Sequence, residues 1–180
     1  MQNSQDPPFS LQPTITGELV DLRPLAASDL DDLFTVASDP LIWEQHPAKN
    51  RCKRDVFKIF FKESLASGGA LVIIDRQNGK IIGSSRYHDY IPAESVVEIG
   101  WSFLARSYWG GVYNREVKHL MLNHAFKHLM SVIFLVNPAN IRSCKAVEKI
   151  GGHHTGYRNK AGNRLLVYRI DKDNFMSQEN

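Results

Sequence analysis

The segment Glu98-Ile-Gly-Trp-Ser-Phe-Leu-Ala-Arg-Ser-Tyr-Trp-Gly-Gly-Val-Tyr-Asn-Arg-Glu116 constrains this chain more than any other. It reads as strand, glycine loop and helix start. Val96–Leu104 supplies the strand, after a turn at Pro92. A long helix is expected to run through about Met130, with Val117, Leu120, Met121, Ala125 and Leu129 on its apolar face and Lys118 and Lys127 away from it. Val132–Val136 then forms a near-continuous apolar run, as in strands buried on both faces. A strand–glycine–helix junction presents several backbone N–H groups at the positive end of a helix dipole, which suits a phosphate or pyrophosphate. The plainer alternative is that Gly110 and Gly111 only turn the chain. No Gly-Lys-Ser/Thr follows, so the loop is not a P-loop, and three spaced glycines after a first strand are missing, so it is not a Rossmann fingerprint.

Elements alternate on either side of this segment. Glu18–Arg23 alternates apolar and polar residues like a half-buried strand. Ser28 is expected to cap a helix carrying Leu30, Leu33, Phe34 and Ala37, ended by Pro40. Arg54 to Leu65 is expected as a second amphipathic helix, with Val56, Ile59, Phe60 and Leu65 inward. Ala70–Asp75 and Lys80–Tyr87 flank Gln77-Asn78-Gly79, a hairpin signal. Ile141–Ile150 reads as a short helix, and His154–Arg158 with Leu165–Ile170 as a last hairpin. The order β-α-α-β-β-β-α-β-α-β-β predicts an α/β or α+β domain.

Composition narrows the function classes. Net charge is +3, from 22 Lys and Arg against 19 Asp and Glu, so no basic patch supports dedicated nucleic-acid binding. Two cysteines, Cys52 and Cys144, rule out a disulfide-built scaffold and suit a reducing compartment. Internal apolar runs are too short to cross a bilayer, so a cytoplasmic protein without membrane partners is expected. His124 and His128 are one helical turn apart, but no third ligand is evident and no metal is expected.

Three segments in order resemble successive motifs of the GCN5-related N-acetyltransferases (GNAT): Glu98-Ile-Gly-Trp101, Tyr108-Trp-Gly-Gly-Val-Tyr-Asn-Arg-Glu116, and Asn140-Ile-Arg-Ser-Cys-Lys-Ala-Val-Glu-Lys-Ile-Gly151. Leu19-Val-Asp-Leu-Arg-Pro-Leu25 with Asp29-Leu30 is similar to the opening strand and helix of the RimJ/RimL group, which acetylates protein N-termini and other amines. The resemblance covers roughly residues 17 to 171. It implies one GNAT-like domain, with a mixed, mostly antiparallel central sheet flanked by helices. The domain is expected over 14–175, after a flexible polar leader at 1–13 and before a tail at 176–180.

The resemblance further implies acetyl-CoA as co-substrate, its pyrophosphate held by loop amides. The family's loop pattern falls on Trp109, Gly110, Gly111, Val112, Tyr113 and Asn114, and this chain departs from it at Trp109, Val112 and Asn114. A β-branched residue resists positive φ, so Val112 is expected in an ordinary conformation and Gly111 in the unusual one. Acetyl transfer to an amine needs a base, because free ammonium groups titrate near 8 to 10. Glu98 is the candidate, directly or through water, its pKa raised in an enclosure of Trp101, Tyr87 and Val97. An exposed acid paired with Arg86 or His88 is the alternative.

Ser143 matches the N-x-x-S that starts at Asn140 and is the candidate acid for the departing thiolate; Val147 stands where many family members carry tyrosine. Asn140 would bond the pantetheine arm or cap its helix, two compatible roles, and a backbone amide near Phe103 or Leu104 would face the oxyanion. Trp43, Glu44, His46, Phe60, Tyr157 and Arg158 are expected to line a pocket for a cationic amine. The acceptor is a peptide N-terminus or a small amine, and both monomer and homodimer remain open. The alternatives are a drug- or metabolite-acetylating enzyme, or a silent acyl-CoA-binding sensor, the latter motivated by Val112 and Val147.

Overall fold

Eight strands make one sheet: β1 (Ile15–Thr16), β2 (Val20–Pro24), β3 (Ala70–Asp75), β4 (Ile81–Ile91), β5 (Val96–Leu104), β6 (Ser131–Val136), then β8 (Asn163–Asp171) ahead of β7 (His153–Lys160) at the edge. Every neighbouring pair is antiparallel except β5 with β6. The computed structural model describes residues 9–178, so residues 1–8 of the expected leader and 179–180 of the expected tail lie outside the described residues. Helices α1 (Leu30–Ala37) and α2 (Arg54–Ala66) cover one face of the sheet, with Trp43, Phe57, Phe60 and Phe103 in the core between them. On the other face, α3 (Val112–Phe126) and α4 (Ile141–Glu148) pack on Leu22, Ile73, Tyr87, Ile99 and Phe134. The chain ends in α5 (Lys172–Gln178), whose Phe175 packs on Phe126 with ring centres 5.2 Å apart. Among the described residues, no helix is long and apolar enough to cross a membrane.

The α/β layering and the mostly antiparallel sheet are those expected, and several local expectations need correction. Ser28 does not cap α1. Asp29 stands at the N-cap with no side-chain bond to α1; its carboxylate serves the preceding turn instead, accepting the Ala26 N–H at 2.8 Å while pairing with both terminal nitrogens of Arg23. The inward face of α2 is Phe57, Phe60, Phe61 and Ser64, whereas Ile59 is 61% exposed. Three of those four are aromatics on one helical stripe, and their area outweighs the competing aliphatic register. Helix α3 stops at Phe126, four residues short, where the Leu129 N–H turns back to the Ala125 carbonyl.

Its buried stripe is Val117, Lys118, Met121, Leu122, Ala125 and Phe126, so Lys118 faces the sheet. Two ties fix α3 on the sheet. Glu116 accepts the Leu19 N–H at 2.8 Å across a turn where Gly17 leaves no room for a side chain, and the Tyr87 hydroxyl donates to the Met121 carbonyl at 2.6 Å. At Phe9 the chain packs in among Tyr87, Tyr90, His124 and His128. His124 and His128 thus share an aromatic cluster, and no group of three or more His, Cys, Asp or Glu among the described residues is arranged for a metal.

Candidate active site

The pairing of β5 with β6 stops early. Val96, Val97 and Glu98 match Ser131, Val132 and Ile133, and beyond Glu98 the two strands part. From Ile99 onward β5 is held only by β4, which leaves a wedge between two strands at the centre of the sheet. The β4 register runs from Arg86 opposite Gly100 to Ser84 opposite Phe103, so Trp101 and Ser102 together face Ser85. This is a β-bulge, and Trp101 sits in it with φ +51°, a conformation that costs a non-glycine residue about 1–3 kcal/mol. Past the bulge, the Ala105 N–H bonds the Ile82 carbonyl on β4. By strand alternation the Leu104 N–H and C=O therefore point to the wedge side, where the carbonyl accepts the Trp109 indole N–H at 2.9 Å. Of the two amides nominated for an oxyanion, that of Leu104 faces the opening, and that of Phe103 faces β4.

Glu98 lies at the apex of this wedge and is 3% exposed. Its Oε2 is 3.5 Å from Lys160 Nζ, which also holds Asp89 at 3.2 Å. Burial pushes the Glu98 carboxyl above the ordinary value, with Lys160 opposing and Asp89 adding to the shift. The expected enclosure is only partly right. Tyr87 and Val97 belong to the core under α3, and strand alternation puts Glu98 on the opposite face. There Lys160, on the edge strand, is its partner, and Arg86 acts on it only through the field.

The glycine loop connects the wedge to α3. A short turn at Arg106–Tyr108 leads to Trp109 and then to Gly110 at φ +70°. Gly111 precedes the helix with φ −120° and ψ −158°, so Gly110, not Gly111, takes the left-handed angles. Val112 opens α3, as a β-branched residue can, and is 57% exposed. No side chain caps this 15-residue helix, so the N–H groups of its first turn have no intrahelical partner. Trp109 and Tyr113 pack against the core beside them. Arg142 stacks 4.1 Å above the Trp109 ring, and Tyr108 meets Tyr113 at 4.8 Å. An uncapped dipole end reached through a left-handed glycine, beside a gap in the sheet, fits a pyrophosphate with an extended arm. Asn114 lies in that first turn.

Asn140 caps α4, its Oδ1 accepting the Ser143 N–H at 3.2 Å. The half-buried Ser143 hydroxyl makes no hydrogen bond among the described residues. Next to it Cys144 is buried at 7% exposure, as expected of a small apolar side chain.

Three cations near the site stand otherwise than the sequence suggests: its pattern puts Lys118 away from the core, offers Arg86 only as a partner of Glu98, and does not single out Arg51. Lys118 is 5% exposed, donates to the hydroxyls of Ser85 (3.1 Å) and Ser102, and has its pKa brought down to about 7 by burial. The clue was its i+4 and i+8 spacing to Leu122 and Phe126. Arg86 stands on the opposite face among Phe60 and Trp101, and Arg51 joins it from the segment before α2. Of the residues expected to line the amine pocket, Trp43, His46 and Phe60 gather here. Arg158 acts on Glu98 through the field, Glu44 is exposed, and Tyr157 is 54% exposed and stacks with Arg164.

A bulged central strand, a wedge at a parallel pair and an uncapped helix start beside it make up the site. The profile of the acetyltransferase (GNAT) domain matches residues 20–153, and the chain belongs to that family. A GCN5-related N-acetyltransferase from Brucella melitensis has the same fold, with a TM-score of 0.79 and 21% identity over 98% of this chain and 86% of that one. RimJ from Mycobacterium smegmatis, solved in complex with CoA-disulfide, superposes with a TM-score of 0.68 at 19% identity, over 86% of this chain and 82% of its own. The Bacillus subtilis protein YkkB, itself uncharacterized, is 30% identical over 97 residues. That match spans 52% of this chain and about half the length of YkkB, 56%.

Proposed function

We propose that the protein transfers the acetyl group of acetyl-CoA directly to a primary amine. The observation that carries the reading is the position of Glu98, a buried carboxylate with raised pKa at the last paired residue before β5 and β6 separate. Acetyl-CoA, when bound, supplies the reactive thioester. Loop residues Trp109–Asn114, above all their backbone amides, hold its anionic end, and Asn140 keeps the N-terminus of α4 in place. Glu98 takes the proton from the acceptor ammonium, directly or through one water. A carboxylate raised toward neutrality is better matched to that task than one at its ordinary value. The Leu104 N–H steadies the carbonyl oxygen as it gains charge. Ser143 delivers a proton to the leaving sulfur, a role its unengaged hydroxyl leaves open. Holding both reactants in line provides the remainder, an effect worth several kcal/mol.

Calorimetric titration with acetyl-CoA, paired with thiol release over a panel of peptides, polyamines and small amines, tests this. Binding with turnover is expected. No binding at millimolar acetyl-CoA overturns the reading, and binding without turnover on any acceptor favours a silent acyl-CoA sensor.

A further inference from the structure

Two arginines stand on the acceptor side of Glu98 with no carboxylate in contact among the described residues. Arg86, on β4, is 5% exposed; it donates to Ser64 Oγ, and its buried Nε has no partner. Its guanidinium lies 4.6 Å from the Trp101 ring centre and 5.8 Å from that of Phe60. The Arg51 guanidinium lies 4.2 Å from Phe60 and 5.0 Å from Trp43, so both cations share one ring. His46 does not relieve Arg51. Its Nδ1 accepts the Ala48 N–H at 2.9 Å, which puts the neutral ring's proton on Nε2, and Arg51 Nη1 meets that donor at 3.5 Å. Glu63 acts on both arginines, and Glu98 on Arg86, through the field only, and the ion pairs of the described residues include neither arginine. Lys160 is already committed to Glu98 and Asp89.

Burying the Arg86 charge without an ion-pair partner is costly, and setting the half-buried Arg51, of the same sign, around the same aromatic ring adds to that cost. Aromatic faces offset part of this, but they leave the in-plane N–H fork of each guanidinium unused. That fork matches a carboxylate. We propose that Arg51 and Arg86 form a carboxylate subsite, so that the acceptor is a primary amine that also carries a carboxylate. The inference rests on the transfer reading above and replaces the expectation of a purely cationic acceptor. Burial, aided by the field of Arg86 and opposed by that of Glu63, brings the Arg51 pKa down to about 10. Trp43, Phe60 and Trp101 then form the walls between the charged anchor and Glu98.

The test uses matched acceptors: glycine, β-alanine and γ-aminobutyrate against their carboxamides, and the dipeptide Ala-Asp against Ala-Asn. For the unmodified chain, kcat/KM should favour the carboxylate member of at least one series by about tenfold or more, the scale of one charge-assisted contact. A preference confined to the free aminocarboxylates identifies a small amino acid as acceptor, and one confined to the dipeptides identifies an acidic side chain. Arg51→Gln should bring that ratio toward one through KM. Arg86→Lys, which keeps the charge but loses the fork, should lower it in part and guards against misfolding of a neutral variant. Equal use of acids and amides by an actively transferring protein overturns the carboxylate subsite and leaves the transfer reading standing. So does a ratio that survives both substitutions in folded protein. Failure of acetyl-CoA to bind removes both.

Discussion

Ser85 and Arg86 are neighbours on β4 and point to opposite faces of the sheet, and the two faces have been built in different ways. On the α3 face, Ser85 meets a buried lysine, and the candidate cofactor groove is made largely of backbone: the bulge, the Leu104 amide and the uncapped start of α3. On the α1–α2 face, Arg86 belongs to a side-chain assembly drawn from separate parts of the chain: Arg51, Phe60, Trp101 and, at its edge, Lys160. A backbone site tolerates substitution so long as the dihedral angles survive. Loop residues that depart from the family pattern, such as Val112 and Asn114, are thus compatible with an intact helix start. A side-chain site changes its ligand with each substitution. The cofactor half should be shared across relatives, and the acceptor half should be private to this chain.

The largest expected effect breaks the two halves apart at Glu98. Glu98→Gln should lower turnover at neutral pH by about 10²-fold or more, the usual scale for a general base, with acetyl-CoA affinity nearly unchanged by calorimetry. The pH profile sharpens the assignment. Only the carboxylate accepts a proton, and burial raises its pKa, so wild-type turnover should climb with pH through a value above the ordinary glutamate range. Glu98→Gln should lose that limb. Turnover that stays the same across the range removes Glu98 from the mechanism.

A smaller effect addresses the backbone half. Gly110 holds φ +70° with open space where a Cβ would stand, so Gly110→Ala meets no clash and suffers only from its dihedral angles. Strain of about 1–3 kcal/mol should move the loop and raise KM for acetyl-CoA by roughly tenfold, with less effect on KM for the acceptor. An equal rise in both constants would mean that the two halves are mechanically one.

The same division explains what could be read from the chain. The strand–glycine–helix order is local and could be read directly, as could the hairpin at Gln77–Gly79 and the final hairpin. The latter turns through Ala161 and Gly162, both at positive φ, as a tight turn requires. The acceptor half could not be read in this way. Arg51 and Arg86 are 35 positions apart (86 − 51) and meet only because α2 lays Phe60 across β4. The Glu98 partner Lys160 comes from the far edge of the sheet, which no local pattern places beside β5. Lys118 was misread for a different reason. A lysine between Val117 and His119 on an amphipathic helix is ordinarily solvated, and only the depth of the sheet at Ser85 and Ser102 turns it inward.

Lys118 gives the smallest expected effect and the finest test of the comparison. It is as buried as Arg86, yet its partners are two serines that already bond each other at 2.7 Å, so the ammonium can be removed without stranding a polar group. Replacing a buried unpaired charge by an apolar chain of similar length is often stabilising, so Lys118→Met should raise Tm by a few degrees, equivalent to about 1–2 kcal/mol. The sign can be checked by titration. The folded-state pKa of about 7 lies below the unfolded value of about 10.4, so between those limits the unfolded chain binds more protons. Wild-type stability should therefore rise with pH across that window, and the cost should be fully present at pH 7 and below. Lys118→Met should flatten the slope and leave the acid-to-amide preference of the acceptor assay unaltered, because that preference belongs to the other face. A destabilised Lys118→Met, or one that shifts acceptor preference, would show the lysine to be part of a site continuous through the bulge.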